Sequence, residues 1–400
     1  MELKKSTDHS CWLREVGAEA DCEPGTLELC IRGRDEWIPI NRIELRDQRW
    51  LNCAPLNWYS FMNPESVMQR VLAISRSDGE VWVKMNEDSL IQVDGLLVND
   101  FLRAENVRAA MKYQPRDDDV FIATYPKCGT TWTQYIVCNI FTGGNAPNNV
   151  TDFLLQAPYF DFMGADAPKK MPRPGALMTH LPFSMRRHSN KARYIYVARN
   201  PYDCAVSYYH YLLGHTPKTC SDVSFETFVK AFIAGRVPYG DYFDHLIPWY
   251  EHRQDPNVLF FTYEDLKKDT SSWVLKIADF LGKQEYGDAL RADSKLFQRI
   301  LDSCSLGNMR EVFDCRCDGF VDALLELPED KRLESMELYR NKGVTKQESH
   351  EGSGRVRKGK IGDWKNHFTT PELLDTMKCW IEEKTKGTDV MRLWEDLNLP

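Results

Sequence analysis

Four hundred residues allow two or three ordinary domains, or one large α/β domain of roughly 250–300 residues with an appendage. A hydrophobic content of 42%, with 12% aromatic, is ample for a core and excludes a mainly disordered chain. Lys and Arg number 51 against 59 Asp and Glu, and the net charge of −8 argues against a general nucleic-acid or anionic-membrane binder while leaving room for a local cationic pocket.

The start, MELKKSTDHSCWLREVG, has no apolar h-region, and no later stretch approaches 18 uninterrupted apolar residues. The chain therefore reads as soluble and unexported, with the cytoplasm as its expected compartment. Residues 1–93 hold five of the eleven Trp and four of the twelve Cys, and their 11 basic and 16 acidic side chains sum to −5. Short β-like runs (Trp37–Leu45, Glu80–Lys84) are broken by Pro24-Gly25, Pro39, Pro55 and Asp78-Gly79. This pattern predicts a small β-rich or partly disordered extension, and no functional motif lies in it.

From about Asp94 the pattern becomes strand, loop and helix in repetition. Val120–Tyr125 is followed by PKCGTT and the helical run WTQYIVCNIF. Ala192–Ala198 leads through Arg199-Asn200-Pro201 into DCAVSYYHYLL, and Asn257–Thr262 into YEDLKKD and SSWVLKIADFLG. Near-continuous apolar strands alternating with helices predict a central parallel sheet flanked by helices, an α/β fold that binds ligands at the carboxyl ends of its strands. The cysteines are scattered. Cys138, Cys204 and Cys379 lie in apolar runs, as buried thiols do, and Cys315 and Cys317 have no second pair at zinc-finger spacing. Cys11, Cys22, Cys30 and Cys53 also lack C-x2-C spacing, so no metal is expected.

Three cationic elements carry the chemistry. In Tyr125-Pro126-Lys127-Cys128-Gly129-Thr130-Thr131-Trp132 a glycine and two hydroxyl residues open a helix, where exposed N–H groups and the helix dipole favour a phosphate-type anion and Lys127 adds a full charge. Neither G-x-x-x-x-G-K-[ST] nor a G-x-G-x-x-G opening a βα unit occurs, which disfavours a kinase-like or dinucleotide reading. Arg199 ends the second strand and Ser207 follows eight residues on. Arg199 either forks a second phosphate or pairs with Asp203 across the first helical turn. The run Arg355-Val356-Arg357-Lys358-Gly359-Lys360 is either a solvated face or a loop folding over an anion.

TYPKCGTTW resembles the 5′-phosphosulfate loop of the cytosolic sulfotransferases, YVARNPYDCAVSYYHY their 3′-phosphate motif and RKGKIGDWKNHFT their C-terminal signature. FTYEDLKKD and MTHLP match in the same order, and the likeness spans about Asp94 to the C-terminus. The resemblance implies a P-loop NTPase-like sulfotransferase domain over 94–400. It implies transfer of a sulfuryl group from 3′-phosphoadenosine 5′-phosphosulfate (PAPS), without a metal, to a hydroxyl or amine of a small phenol, alcohol, sterol or amine. It assigns Lys127, Gly129, Thr130, Thr131 and Trp132 to the phosphosulfate and adenine side, with Cys128 in the same loop. Arg199, Ser207, Arg357, Lys358 and Gly359 go to the 3′-phosphate, Tyr263 to the adenine, and Cys304-Ser305 to the place of a Thr-Ser pair. His180 corresponds to the general base, and Lys127 neutralises the leaving phosphate.

The departures matter. Cys128 stands where the family usually has a serine that engages Lys127, so an oxidisable loop thiol is expected. Met178 replaces a lysine two residues before His180. Both leave open an alternative, a non-catalytic PAPS- or PAP-binding protein. In the dimer motif K-x-x-x-T-V-x-x-x-E, Lys365 and Thr369 match but Thr370 and Leu374 do not, so a homodimer by that route is in question. Residues 311–354, with 11 acidic and 6 basic side chains, predict a lid that disfavours polyanionic acceptors. Phe153, Tyr159, Phe160, Phe162 and Phe183 either line a pocket for a flat hydrophobic acceptor or belong to the core.

Overall fold

The computed structural model describes residues 90–215, 223–313, 317–340 and 356–400, with four short strands nearer the N-terminus. Glu80–Lys84, all but Ile38–Pro39 of the run Trp37–Leu45, and Arg355 lie outside the described residues. The chain forms two compact units, Met1–Gly79 and Glu80–Pro400. In the first, β1 (Glu2–Leu3), β2 (Cys11–Glu15), β3 (Leu27–Ile31) and β4 (Ile38–Pro39) pair antiparallel in sequence order.

The second unit begins with a hairpin, β5 (Leu90–Val93) against β6 (Leu96–Asn99). Its turn takes Asp94 and Gly95 through positive φ, and Val93, Leu96 and Val98 are buried in the core. The boundary expected at 93/94 thus falls inside this turn, and β5 goes with the residues that follow.

The central sheet contains β7 (Val120–Ala123), β8 (Ala176–Thr179), β9 (Arg193–Ala198) and β10 (Val258–Thr262), all parallel, in the order β10-β9-β7-β8. Every residue of β7 and β8 is buried, which is why these segments read as unbroken apolar runs rather than alternating ones. β7 stops at Ala123, two residues before the expected end, because Tyr125 turns away into a buried aromatic cluster with Tyr208, Phe232 and Tyr242.

Local chemistry starts each site helix. α1 (Thr130–Phe141) follows Gly129, whose φ of +95° only glycine adopts readily. α2 (Phe160–Met163) is one short turn carrying Asp161. α3 (Pro201–His215) has proline at its first position, and the Asn200 side-chain oxygen accepts from the Asp203 N–H at 2.9 Å. α4 (Tyr263–Lys268) opens with a reciprocal cap between Thr262 and Asp265. Cys138 and Cys204 are buried as expected, but Cys379 is exposed. It lies on α5 (Pro371–Lys384), whose buried residues are Leu373, Met377, Trp380 and Ile381, so the apolar stripe faces away from it. No helix among the described residues is long and apolar enough to cross a membrane.

Candidate active site

Each carboxyl end of the sheet delivers one expected site element. Tyr263 follows β10, Arg199 follows β9, the Lys127 loop follows β7 and His180 follows β8. With neighbouring strands about 4.8 Å apart, the sheet sets these elements in a row about 14 Å long, Tyr263 at one end and His180 at the other.

The β7–α1 loop is sharply folded. Lys127 has a φ of +71°, a left-handed conformation costly for lysine and held here by its surroundings. Its ammonium lies 4.4 Å from the centroid of the Tyr211 ring. A Cβ on Gly129 would come within 2.8 Å of the Tyr263 ring, so loop and ring pack against each other with no spare room. The Thr130 hydroxyl bonds to that of Thr124 at 2.6 Å. The Trp132 indole donates to the Cys304 carbonyl at 2.9 Å and meets the Tyr263 ring edge-on. Cys304 enters through its backbone and its buried sulfur, while Ser305 is exposed and caps the turn after it by accepting from the Asn308 N–H.

Cys128, expected to be an oxidisable loop thiol, is shielded. Its sulfur is fully buried, 3.8 Å from the Cys204 sulfur, and both thiols point at the Pro126 carbonyl. Burial, then the neighbouring thiol, push its pKa well above the ordinary value, so the reactive thiolate is suppressed.

The Arg199 guanidinium donates to the Lys127 carbonyl at 3.0 Å and lies 4.6 Å from the centre of the Tyr263 ring. Its Nε is buried with no hydrogen-bond partner among the described residues, an orphaned donor at the mouth of this row. It makes no pair with Asp203. That carboxylate accepts from the backbone N–H groups of Gly362 (2.7 Å) and Trp364 (2.9 Å) and from the Asn200 amide (2.9 Å). Asp203 thus anchors the C-terminal loop to α3, on which Ser207 is buried one turn further along. In that loop Arg357 and Lys358 pair with the nearly buried Asp363 at 2.7 and 3.0 Å. Burial alone would raise the Asp363 pKa, but the hydrogen bonds from Arg357, Lys358 and Asn366 hold it well below the usual carboxylate range. Gly359 takes a φ of +60° against the Leu306 side chain.

His180 sits one residue past β8. Its Nδ1 lies 2.8 Å from the Thr124 carbonyl, an acceptor only, so Nδ1 carries the proton and Nε2 keeps a lone pair. Burial lowers its pKa to about 4; the Thr124 hydrogen bond opposes this and the nearby Lys127 charge adds to it. The imidazole is therefore neutral at physiological pH. Its carbonyl is held by the ring of His245, which also contacts the Tyr196 hydroxyl. Sequence reading missed Thr124, which links the α1 start to His180 through its hydroxyl and its carbonyl.

Of the five aromatics weighed for an acceptor pocket, one borders His180 and a second packs on it. The Tyr159 ring meets the imidazole edge-on at 5.7 Å, and Phe162 stacks on Tyr159. Phe153 packs with Tyr135 and Phe313, Phe160 with Tyr113, and Phe183 lies between His188 and His252. Within the expected lid, Glu334–Tyr339 docks beside Phe162: the Tyr339 hydroxyl donates to the Phe162 carbonyl, and the Ser335 N–H to Asp166. Residues 314–316 and 341–354 of that segment lie outside the described residues. Met178 is buried in β8, with its N–H on the Pro158 carbonyl, and contributes no charge.

A family model described as "Sulfotransferase domain" matches residues 117–316 and 327–389. The chain belongs to the sulfotransferase family. It is 32% identical over 291 residues to the amine sulfotransferase of Oryctolagus cuniculus, covering 72% of this chain and 86% of that one. It is 33% identical over 288 residues to sulfotransferase 1B1 of Mus musculus, covering 69% and 86%. Among solved structures it resembles mouse sulfotransferase SULT7A1 complexed with PAP, at 26% identity and a TM-score of 0.56, over 77% of this chain and 98% of that one. It shares the fold of retinol dehydratase, crystallised with androsterone and PAP, at 22% identity and a TM-score of 0.58, over 82% and 96%. The family expected from the motifs is thereby shown.

Proposed function

We propose that this sulfotransferase moves the sulfuryl group of PAPS to a hydroxyl or amine of a small, neutral or cationic acceptor, with His180 as general base and Lys127 at the departing phosphate. One observation carries the reading. The Nδ1–H of His180 is committed to Thr124, so its unprotonated Nε2 is available, and Thr124 bonds through its hydroxyl to the helix start that would hold the phosphosulfate.

The donor set fits a doubly phosphorylated nucleotide. The orphaned Arg199 Nε, the α1 N–H groups and Lys127 supply anion contacts, and the Trp132 and Tyr263 rings supply a base-stacking surface. Arg357 and Lys358 would join the 3′-phosphate side, sharing their charge with Asp363. When bound, PAPS supplies an activated sulfuryl group on a phosphate leaving group. Lys127 then stabilises charge that grows on the departing oxygen, with Thr130 and Thr131 as fixed dipoles. His180 Nε2 takes the acceptor proton, a step worth roughly 10²–10⁴-fold. The aromatic surroundings of His180 suit a flat apolar acceptor.

The test is incubation with labelled PAPS and a panel of phenols, sterols and amines. Acceptor-dependent transfer is expected, and His180→Ala should lower it roughly 10²–10⁴-fold while PAP affinity stays within about twofold. Thermal stabilisation by PAP without turnover would favour the non-catalytic alternative, and a collapse of PAP affinity in His180→Ala would remove the base from its role.

A further inference from the structure

His180 is held by more than its own ring. The Asp161 carboxylate on α2 is fully buried and collects three donors: the Thr179 hydroxyl at 2.6 Å, the His180 backbone N–H at 2.8 Å and the Tyr239 hydroxyl at 3.2 Å. The Tyr239 hydroxyl also bonds to that of Tyr159. Both rings meet the imidazole edge-on, with centroids 5.2 and 5.7 Å away. One side chain thus ties down the peptide that carries the imidazole and, directly through Tyr239 and at one remove through Tyr159, the two rings that meet it.

An isolated buried carboxylate is costly, and an apolar side chain would fill the same space. What the anion alone supplies is simultaneous acceptance of three hydrogen bonds. No Arg or Lys among the described residues hydrogen-bonds to it, so it is not part of a structural ion pair. We propose that Asp161 is the positioning residue of the base, fixing the His180 main chain and the Tyr239–Tyr159 clamp so that Nε2 is aimed at the acceptor. The inference rests on the reading of His180 as base.

The groups facing this carboxyl are Tyr159, Tyr239, His180 and the Arg186 guanidinium. Burial raises its pKa to about 6, against the pull of its three donors and Arg186. Below that value the carboxyl gains a proton and one of the three donors loses its acceptor. The acid limb of kcat is then set by Asp161, near pH 6, before His180 titrates near 4.

The experiment compares full-length wild type with Asp161→Asn and Asp161→Glu, using PAPS and the best acceptor of the panel. Asp161→Asn should lower kcat roughly 10²-fold, the cost of a misplaced catalytic group, with acceptor KM and PAP affinity within about threefold. Its acid limb should move down toward pH 4, the value of His180 itself. Asp161→Glu should recover part of kcat. A kcat within about threefold of wild type, an unmoved acid limb, or PAP affinity falling in step with kcat would overturn the assignment. A second arm needs no acceptor: 15N-histidine NMR of the PAP complex should show the His180 Nδ1–H resonance sharp in wild type and broadened in Asp161→Asn, and an unchanged resonance overturns the proposal. If wild type transfers to no acceptor, the base reading fails while this arm still decides on Asp161. Should Asp161→Asn not fold, the wild-type resonance should fade as pH falls through about 6, and its persistence to about pH 5 would refute the proposal.

Discussion

Removing the Asp203 carboxylate should detach the C-terminal loop from the nucleotide side of the site. In Asp203→Ala the N–H groups of Gly362 and Trp364 lose charged acceptors at 2.7 and 2.9 Å, whereas Asn200 retains Glu264 at 2.7 Å. A hydrogen bond to a charged group contributes about 1.5–3 kcal/mol, so two at the lower figure amount to about 3 kcal/mol in the docking of this loop. That is roughly 10²-fold in the docked population, and the affinity for any ligand needing the docked loop falls by as much as this. Titration calorimetry with PAP should therefore show Kd rising by up to about 10²-fold, while kcat at saturating PAPS changes about threefold or less. Asp203→Asn, which keeps one acceptor oxygen, should fall between. If Asp203→Ala folds and binds PAP within about twofold of wild type, the loop carrying Arg357 and Lys358 is not part of the nucleotide site.

Three further outcomes follow from the same geometry. Gly129→Ala must place a methyl 2.8 Å from the Tyr263 ring at a φ of +95°, so PAP affinity should drop about tenfold or more by calorimetry, and unchanged binding would contradict the packing described. Iodoacetamide labelling of the native protein, mapped by mass spectrometry, should modify exposed Cys379 while sparing Cys128 and Cys204 until the chain unfolds; alkylation of Cys128 at the rate of Cys379 would show its loop to be open. Asp363, with a folded pKa below its unfolded one, contributes stability that is full above the ordinary carboxylate range and is lost as pH falls through and below it. Asp363→Asn should therefore flatten the acid side of the thermal-midpoint profile, and an unaltered profile would count against that role.

The strand–loop–helix rhythm was legible because buried parallel strands leave unbroken apolar runs, and Lys127 and Arg199 stood out as cations following two of them. Tyr263 and His180 entered only through the likeness to the sulfotransferase motifs, and the strand before His180, β8, was not read at all. The residues that hold these side chains were not legible. Asp161 meets Tyr239 from 78 positions away, and Asp203 meets Trp364 from 161. Neither spacing leaves a local pattern, so Asp203 was read only as a neighbour of Arg199 and Asp161 not at all. Thr124 passed as one more residue of the run Val120–Tyr125. Cys128 was read as an oxidisable loop thiol, and its burial against Cys204, a residue 76 positions on, left no mark in the local sequence.

The sheet order separates two kinds of work. β8, which His180 follows, is an outer strand of the four described strands, with β7 as its neighbour, whereas the strands that precede Arg199 and Tyr263 lie on the far side of the Lys127 loop. Under the proposed function, changes at Phe162 and Tyr339, beside the outer margin, would re-tailor what is accepted and leave the donor side alone, whereas Tyr159 would have to be kept because it borders the imidazole.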